Sequence, residues 1–342
     1  MIAAFAVAAV LGFAVAALTT WLVARNATRL GLLDVPNERS SHASTTPRGG
    51  GIGIVAGVAA GVIFLTAVGI PLDRDLGVLL AGVEILAVLG VIDDRRSVPA
   101  LYRLVVQVAV AVAVVVLIGG VDRLPLPPPL DLPIGWLGVP LTVVWLVTVT
   151  NFYNFMDGID GLAGGQGFAS CAGVLIGIWS TGAVELALVL GAACLGFLLL
   201  NSPPARIFLG DAGSYSVGFA IAGLPLLAPE FGRPIALFGV AVGLTLFLLD
   251  PLETLIRLVR SGRRIGVAHR AHSYQALASS RDRHRRVALA LVLTGLVLAL
   301  GGGLTYHLQW LGWPVLVVAV AAFGVEWFLA RRARVAPAVG GQ

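Results

Sequence analysis

Eleven separate apolar stretches run through the 342 residues, at about 2–24, 50–70, 76–92, 101–119, 134–152, 162–181, 184–200, 213–229, 234–256, 286–305 and 313–330. Most approach the roughly 20 apolar residues that a helix needs to cross a bilayer. The chain is 58% hydrophobic and only 12% charged, about half the charged share of an ordinary soluble domain. These features predict an all-α, polytopic integral membrane protein of about 11 transmembrane helices, with no room for a large soluble domain. A single catalytic domain is expected over residues 1–334, followed by a disordered tail over 335–342. The first stretch has no small-residue cleavage site, so it reads as a span and not as a removable signal.

All 23 basic residues are arginine. Without lysine there is no Schiff-base nucleophile, and pyridoxal phosphate chemistry is excluded. When the loops are assigned alternately, twenty arginines fall on one side of the membrane; Arg74, Arg123 and Arg233 fall on the other. Positively charged loops stay in the cytoplasm. The N-terminus is therefore predicted outside and the C-terminus inside, in a multi-pass protein of the cytoplasmic (inner) membrane. Cys171 and Cys194 lie within apolar runs and read as small core residues, not as a disulfide or a zinc site.

The same loop assignment sorts the acids. VIDDRRS, residues 91–97, ends a span with adjacent carboxylates Asp93 and Asp94. They suit a magnesium or proton-handling pair, although a solvated helix end beside Arg95 and Arg96 gives the same pattern. In NFYNFMDGIDGLAGG, residues 151–165, Asn151, Asn154, Asp157 and Asp160 recur every third position and would share one face of a helical or tight-turn segment, beside glycines that let a phosphate approach the backbone. A hydrated turn between spans is the alternative. RIFLGDAGSYSVG, residues 206–218, sets Asp211 in a glycine-flanked turn where a helix begins. Asp211 could hold a metal-bound diphosphate and Phe208 could stack on a base, or Asp211 could simply cap the helix. RRIGVAHRAHSYQAL, residues 263–277, puts His269, Arg270 and His272 in a basic loop suited to phosphate oxygens, which anionic lipid would also attract. DVPNERSSHASTTPRGGGIG, residues 34–53, ends with Arg48 and a glycine turn at a helix start, where a phosphate could sit.

In order along residues 34–275, PNERSSHASTTPRGGGIG, the Asp93–Asp94 pair, NFYNFMDGIDGLAGG, FLGDAGS and HRAHSYQ resemble the polyprenyl-phosphate N-acetylhexosamine-1-phosphate transferases, relatives of phospho-N-acetylmuramoyl-pentapeptide transferase. The spelling of the histidine segment is similar to the branch that initiates O-antigen and related surface polysaccharides. The resemblance implies transfer of a sugar 1-phosphate from a UDP-N-acetylhexosamine to undecaprenyl phosphate at the cytoplasmic face, with release of UMP. It also implies a need for magnesium, for which manganese would substitute. Asp93, Asp94, Asp157 and Asp211 would be the catalytic residues, with Asp211, Asp94 and Asp157 at the metal. Arg48, Asn151, Asn154, Asp160, Phe208, His269, Arg270 and His272 would bind substrate. Ser97 stands where some relatives have a third aspartate, and Arg48 near where some carry lysine.

A phosphate monoester is largely dianionic at neutral pH, its second pKa lying near 6. Direct attack by the lipid phosphate on the sugar-linked phosphorus is therefore expected in preference to a covalent aspartyl intermediate. An ion-coupled transporter is the competing class, since intramembrane acids also build transport sites. That reading needs acids near the membrane midplane, where only Glu84 lies well inside a span. Bilayer lipid is an expected partner, nucleic acid is not, and a homodimer is compatible with the apolar surface.

Overall fold

The computed structural model describes residues 1–34, 45–262, 272–278 and 281–335. Helix α1 (Ile2–Leu30) leads to a two-residue antiparallel pairing of β1 (Leu33–Asp34) with β2 (Thr46–Pro47). The chain continues through α2 (Gly51–Ala67), α3 (Arg74–Arg95), α4 (Ala100–Ile118), α5 (Gly138–Met156), α6 (Leu162–Gly177) and α7 (Thr181–Asn201). Then come α8 (Gly210–Gly223), α9 (Arg233–Gly243), α10 (Thr245–Arg260), the short α11 (Ser273–Leu277), α12 (Arg281–Thr305) and α13 (Gly312–Val335). Of the tail expected over 335–342, Val335 still belongs to α13, and 336–342 lie outside the described residues.

The fold is that of an all-α, multi-span membrane protein, and every apolar stretch of the sequence is largely helical. Among the described residues, seven helices are long and apolar enough to cross a membrane, or eight if a bent pair counts as one span; α2 and α6 are shorter apolar helices. The stretches 213–229 and 234–256, expected as two straight spans, are built differently. The segment Gly210–Leu227 meets Glu230–Gly243 at 119°, where Pro225 and Pro229 interrupt the backbone ladder. The second stretch is divided again at Leu244 into α9 and α10.

Helix α10 is apolar on the outside: Leu252, Ile256 and Val259 are exposed, whereas Asp250 and Thr254 are fully buried. In a membrane this inversion is the stable arrangement, because lipid tails accept leucine and the protein interior supplies hydrogen bonds. Tryptophan marks both ends of the bundle. Trp136, Trp179 and Trp310 are exposed near the starts of α5, α7 and α13. At the other end Arg25 lies over the Trp21 ring and Arg331 over Trp327. Aromatic rings concentrate at membrane–water interfaces in this way. Thr20, beside Trp21, donates to the Gly50 carbonyl (3.4 Å), which places the start of α2 at the depth of that aromatic band.

Helices α3 and α8 pack side by side along much of α8. The contact is so close at Gly90 that a Cβ there would overlap the backbone of Asp211 and Ala212. Gly90→Ala is therefore expected to destabilise the fold by about 1–3 kcal/mol through overpacking, with a lower melting temperature in detergent than the wild type. A melting temperature equal to wild type would mean that the two helices do not need this approach.

Candidate active site

Asp93 and Asp94 end α3 and are both buried. Asp94 accepts from the backbone N–H of Asp211 (3.1 Å) and of Ala212 (3.2 Å), so a carboxylate from one helix caps the positive end of another. Arg48, just after β2, donates to the Asp94 carbonyl and brings Nε to 3.8 Å from its carboxylate. Asp93 accepts from the Val98 amide (2.7 Å), from Arg103 Nη1 (2.7 Å) and from the Tyr215 hydroxyl (3.1 Å). Arg103 also donates to Tyr215 (2.8 Å), closing a three-membered cluster.

Asp211, in the first turn of α8, lies within hydrogen-bonding reach of Asp93. The Asn154 amide of α5 donates to Asp211 Oδ1 (2.7 Å) and to the Ser214 hydroxyl (2.8 Å). Asp157 follows the last residue of α5, where burial first, and then the charges of Asp94 and Asp160, push its carboxyl up to about 7. Three helices thus bring Asp93, Asp94, Asn154 and Asp211 into direct contact at one end of the bundle, with Asp157 in electrostatic contact with the group.

Other residues read from the sequence have different surroundings. The expected shared face of Asn151, Asn154, Asp157 and Asp160 is divided, because α5 stops at Met156. Asn151 donates to Gln107 of α4 (2.7 Å) and to the Val147 carbonyl (2.8 Å). Asp160 accepts from the Ala205 amide (2.9 Å), and its own amide donates to His284 Nε2 (3.0 Å). Phe208 is bound through its backbone, its N–H to Pro47 (2.8 Å) and its carbonyl from Gly50 (2.9 Å), with a half-buried ring. His272 is buried with Nδ1 3.3 Å from Asp250. His269 and Arg270 lie outside the described residues.

Sequence reasoning passed over Arg103, Tyr215, Ser214 and His284. Arg103 carried a usable signal: an arginine one turn into the apolar helix α4 is costly unless something pairs with it. Tyr215, four residues after Asp211, shares its helical face. His284 sits in an arginine-rich run, RDRHRR, that gave no reason to single it out.

Among the described residues, no three Asp, Glu, His or Cys side chains are placed to hold one ion. Magnesium does not require such a cage; it keeps several waters and takes one or two carboxylates together with substrate phosphates. Asp211 and Asp93, two oxygen-only groups whose mutual repulsion a cation would relieve, fit that chemistry. Both oxygens of Asp94 accept amide protons of α8, which ties its carboxylate to the backbone of Asp211 and Ala212.

The family model for glycosyl transferase family 4 matches residues 76–228, which include Asp93, Asp94, Asn154, Asp157 and Asp211. A probable undecaprenyl-phosphate N-acetylglucosaminyl 1-phosphate transferase of Bacillus subtilis is 32% identical over 302 residues, covering 85% of this chain and 83% of that protein. A decaprenyl-phosphate N-acetylglucosaminephosphotransferase of Mycobacterium tuberculosis is 30% identical, covering 80% of this chain and 76% of its own length. The phospho-N-acetylmuramoyl-pentapeptide-transferase of Halalkalibacterium halodurans is 29% identical over 75% of this chain and 82% of that protein. With this similarity along most of its length and the clustered aspartates, the chain belongs to glycosyl transferase family 4, among the polyprenyl-phosphate N-acetylhexosamine-1-phosphate transferases.

Proposed function

We propose that this membrane phosphotransferase moves N-acetylglucosamine 1-phosphate from its UDP-linked donor to undecaprenyl phosphate, releasing UMP, as the first membrane step of a cell-surface polysaccharide. The observation that carries the reading is the meeting of Asp93, Asp94, Asn154 and Asp211, from three helices, at one end of the bundle. The hexosamine is taken from the names of the bacillary and mycobacterial relatives. Arg25, Arg95, Arg206, Arg260 and Arg331 border the same end, and this excess of arginine supports a cytoplasmic face for it.

In this reading an oxygen of the lipid phosphate attacks the sugar-linked phosphorus, and the bond from that phosphorus to the oxygen of UMP breaks. Little covalent work falls to the protein, so rate comes from alignment and from neutralising charge. Asp211, with Asp93 beside it and Asp157 nearby, would hold a magnesium ion, whose charge would offset that of the diphosphate oxygens. Asn154 fixes the Asp211 carboxylate through one oxygen. Arg103 and Tyr215 fix Asp93. Asp94 holds the first amides of α8 in register with α3, and Arg48 holds Asp94.

Asp211→Asn is expected to lower turnover by at least about a hundredfold while the protein stays folded, because the new amide oxygen still accepts from Asn154. The assay is UMP release from UDP-N-acetylglucosamine in detergent, with and without undecaprenyl phosphate; turnover like wild type would remove Asp211 from the reaction.

A pH dependence follows from Asp157. Its carboxyl titrates at about 7, so it is mostly protonated at pH 6 and mostly ionised at pH 8, and a metal ion competes with that proton. The magnesium concentration for half-maximal transfer should fall on the order of tenfold from pH 6 to pH 8, and Asp157→Asn should flatten the change. The variant separates this effect from titration of the lipid phosphate itself. A half-maximal concentration that does not move with pH in the wild type would contradict the assignment.

A further inference from the structure

Apart from the aspartate centre, α10 and α13 bury two acids against each other. Asp250 is fully buried and Glu326 only 5% exposed, with their carboxyl groups within hydrogen-bonding reach. Asp250 accepts from the backbone N–H of Ser273 (3.0 Å) and Tyr274 (3.0 Å) and from the Thr254 hydroxyl (3.2 Å). Among the described residues, neither Glu326 oxygen meets a hydrogen-bond donor. The Ser273, Tyr274 and Thr254 donors converge on the Asp250 carboxyl, and Glu326 stands against it from α13.

Asp250 holds the segment 272–277 in place, and that segment supports the α5–α6 turn. Tyr274 is fully buried, and its hydroxyl donates to the Phe155 carbonyl (2.9 Å) in the last turn of α5. The hydroxyl fills the place where a Cβ on Gly158 would stand, which is why that position carries no side chain. Gln275 Nε2 donates to the same hydroxyl (3.3 Å). A chain of contacts therefore runs from Glu326 through Asp250 and Tyr274 to the turn that carries Asp157.

We propose that Glu326 and Asp250 are positioning residues for the donor substrate: by fixing Tyr274 under the turn of Asp157 and Gly158, and His272 beside Asp250, they set the pose of the sugar nucleotide from the C-terminal helix. The proposal rests on the transferase reading of the site. It concerns donor binding and leaves the bond-making centre of α3 and α8 untouched.

The test uses the full-length protein in detergent. Glu326→Ala is expected to raise the KM for UDP-N-acetylglucosamine about tenfold while the KM for undecaprenyl phosphate stays within about twofold. Glu326→Gln should restore the donor KM, since its amide has the same shape and can donate to Asp250. Hydrogen exchange should quicken in peptides covering 155–160 and 272–278 of Glu326→Ala and stay unchanged in α3 and α8. Tyr274→Phe, which cuts the lower link, should show the same donor KM defect and carries the test if Glu326→Ala does not fold. Unchanged donor KM in Glu326→Ala or Tyr274→Phe, or a Gln variant as impaired as the Ala variant, overturns the proposal. A wild-type protein that releases no UMP overturns the transferase reading instead, and the exchange comparison still decides whether Glu326 holds the segment.

Discussion

The site depends on one contact between helices, the carboxylate of Asp94 seated on the first amides of α8. A helix beginning in a membrane protein leaves several N–H groups unpaired, and an unpaired amide away from water costs as much as a lost hydrogen bond. An acid supplied by α3 meets two of them and the helix dipole at once. The same contact fixes the rotation of α8, and with it the direction of Asp211. Gly90 makes the approach close enough, Arg48 braces Asp94 from β2, and Asn154 steadies Asp211 from α5. Loss of the interhelical carboxylate would leave the remaining groups without a common reference.

Around this contact the acids divide into two sets. Asp93, Asp94, Asp157 and Asp211 crowd together, where like charges resist ionising side by side; burial first, and then the charges of Asp94 and Asp160, raise the titration point of Asp157. Asp160 accepts from the Ala205 amide and Asp250 from the Ser273 and Tyr274 amides, which makes them fasteners of the chain. Composition does not separate the two sets; their hydrogen-bond partners do.

Much of the fold was legible in the sequence because the membrane imposes one rule on every segment: apolar length makes a helix. The rule fails where tertiary contacts divide a continuous run. Nothing at Leu244 distinguishes it from its neighbours, yet α9 ends there and α10 begins. At the site, Asp93, Asp94 and Asp211 were legible from adjacency and from the glycine turn. The recurrence of Asn151, Asn154, Asp157 and Asp160 misled, since a spacing of three marks one face only while the helix lasts, and α5 ends between the second and third of them. Arg103 was overlooked because it was counted as a surface charge, although its position in α4 required a buried partner.

The hydrogen bond from Thr20 to Gly50 has a geometric consequence. Helix α1 continues ten residues past Thr20 to Leu30, about 15 Å at the rise of an α-helix, so it stands above the Trp21 collar like a post. Gly50 and the loop before α8 stay at the level of Thr20, beside the Trp21 ring. In the transferase reading proposed above, an acceptor phosphate would react near the depth of the aromatic band, with its tail still in the bilayer.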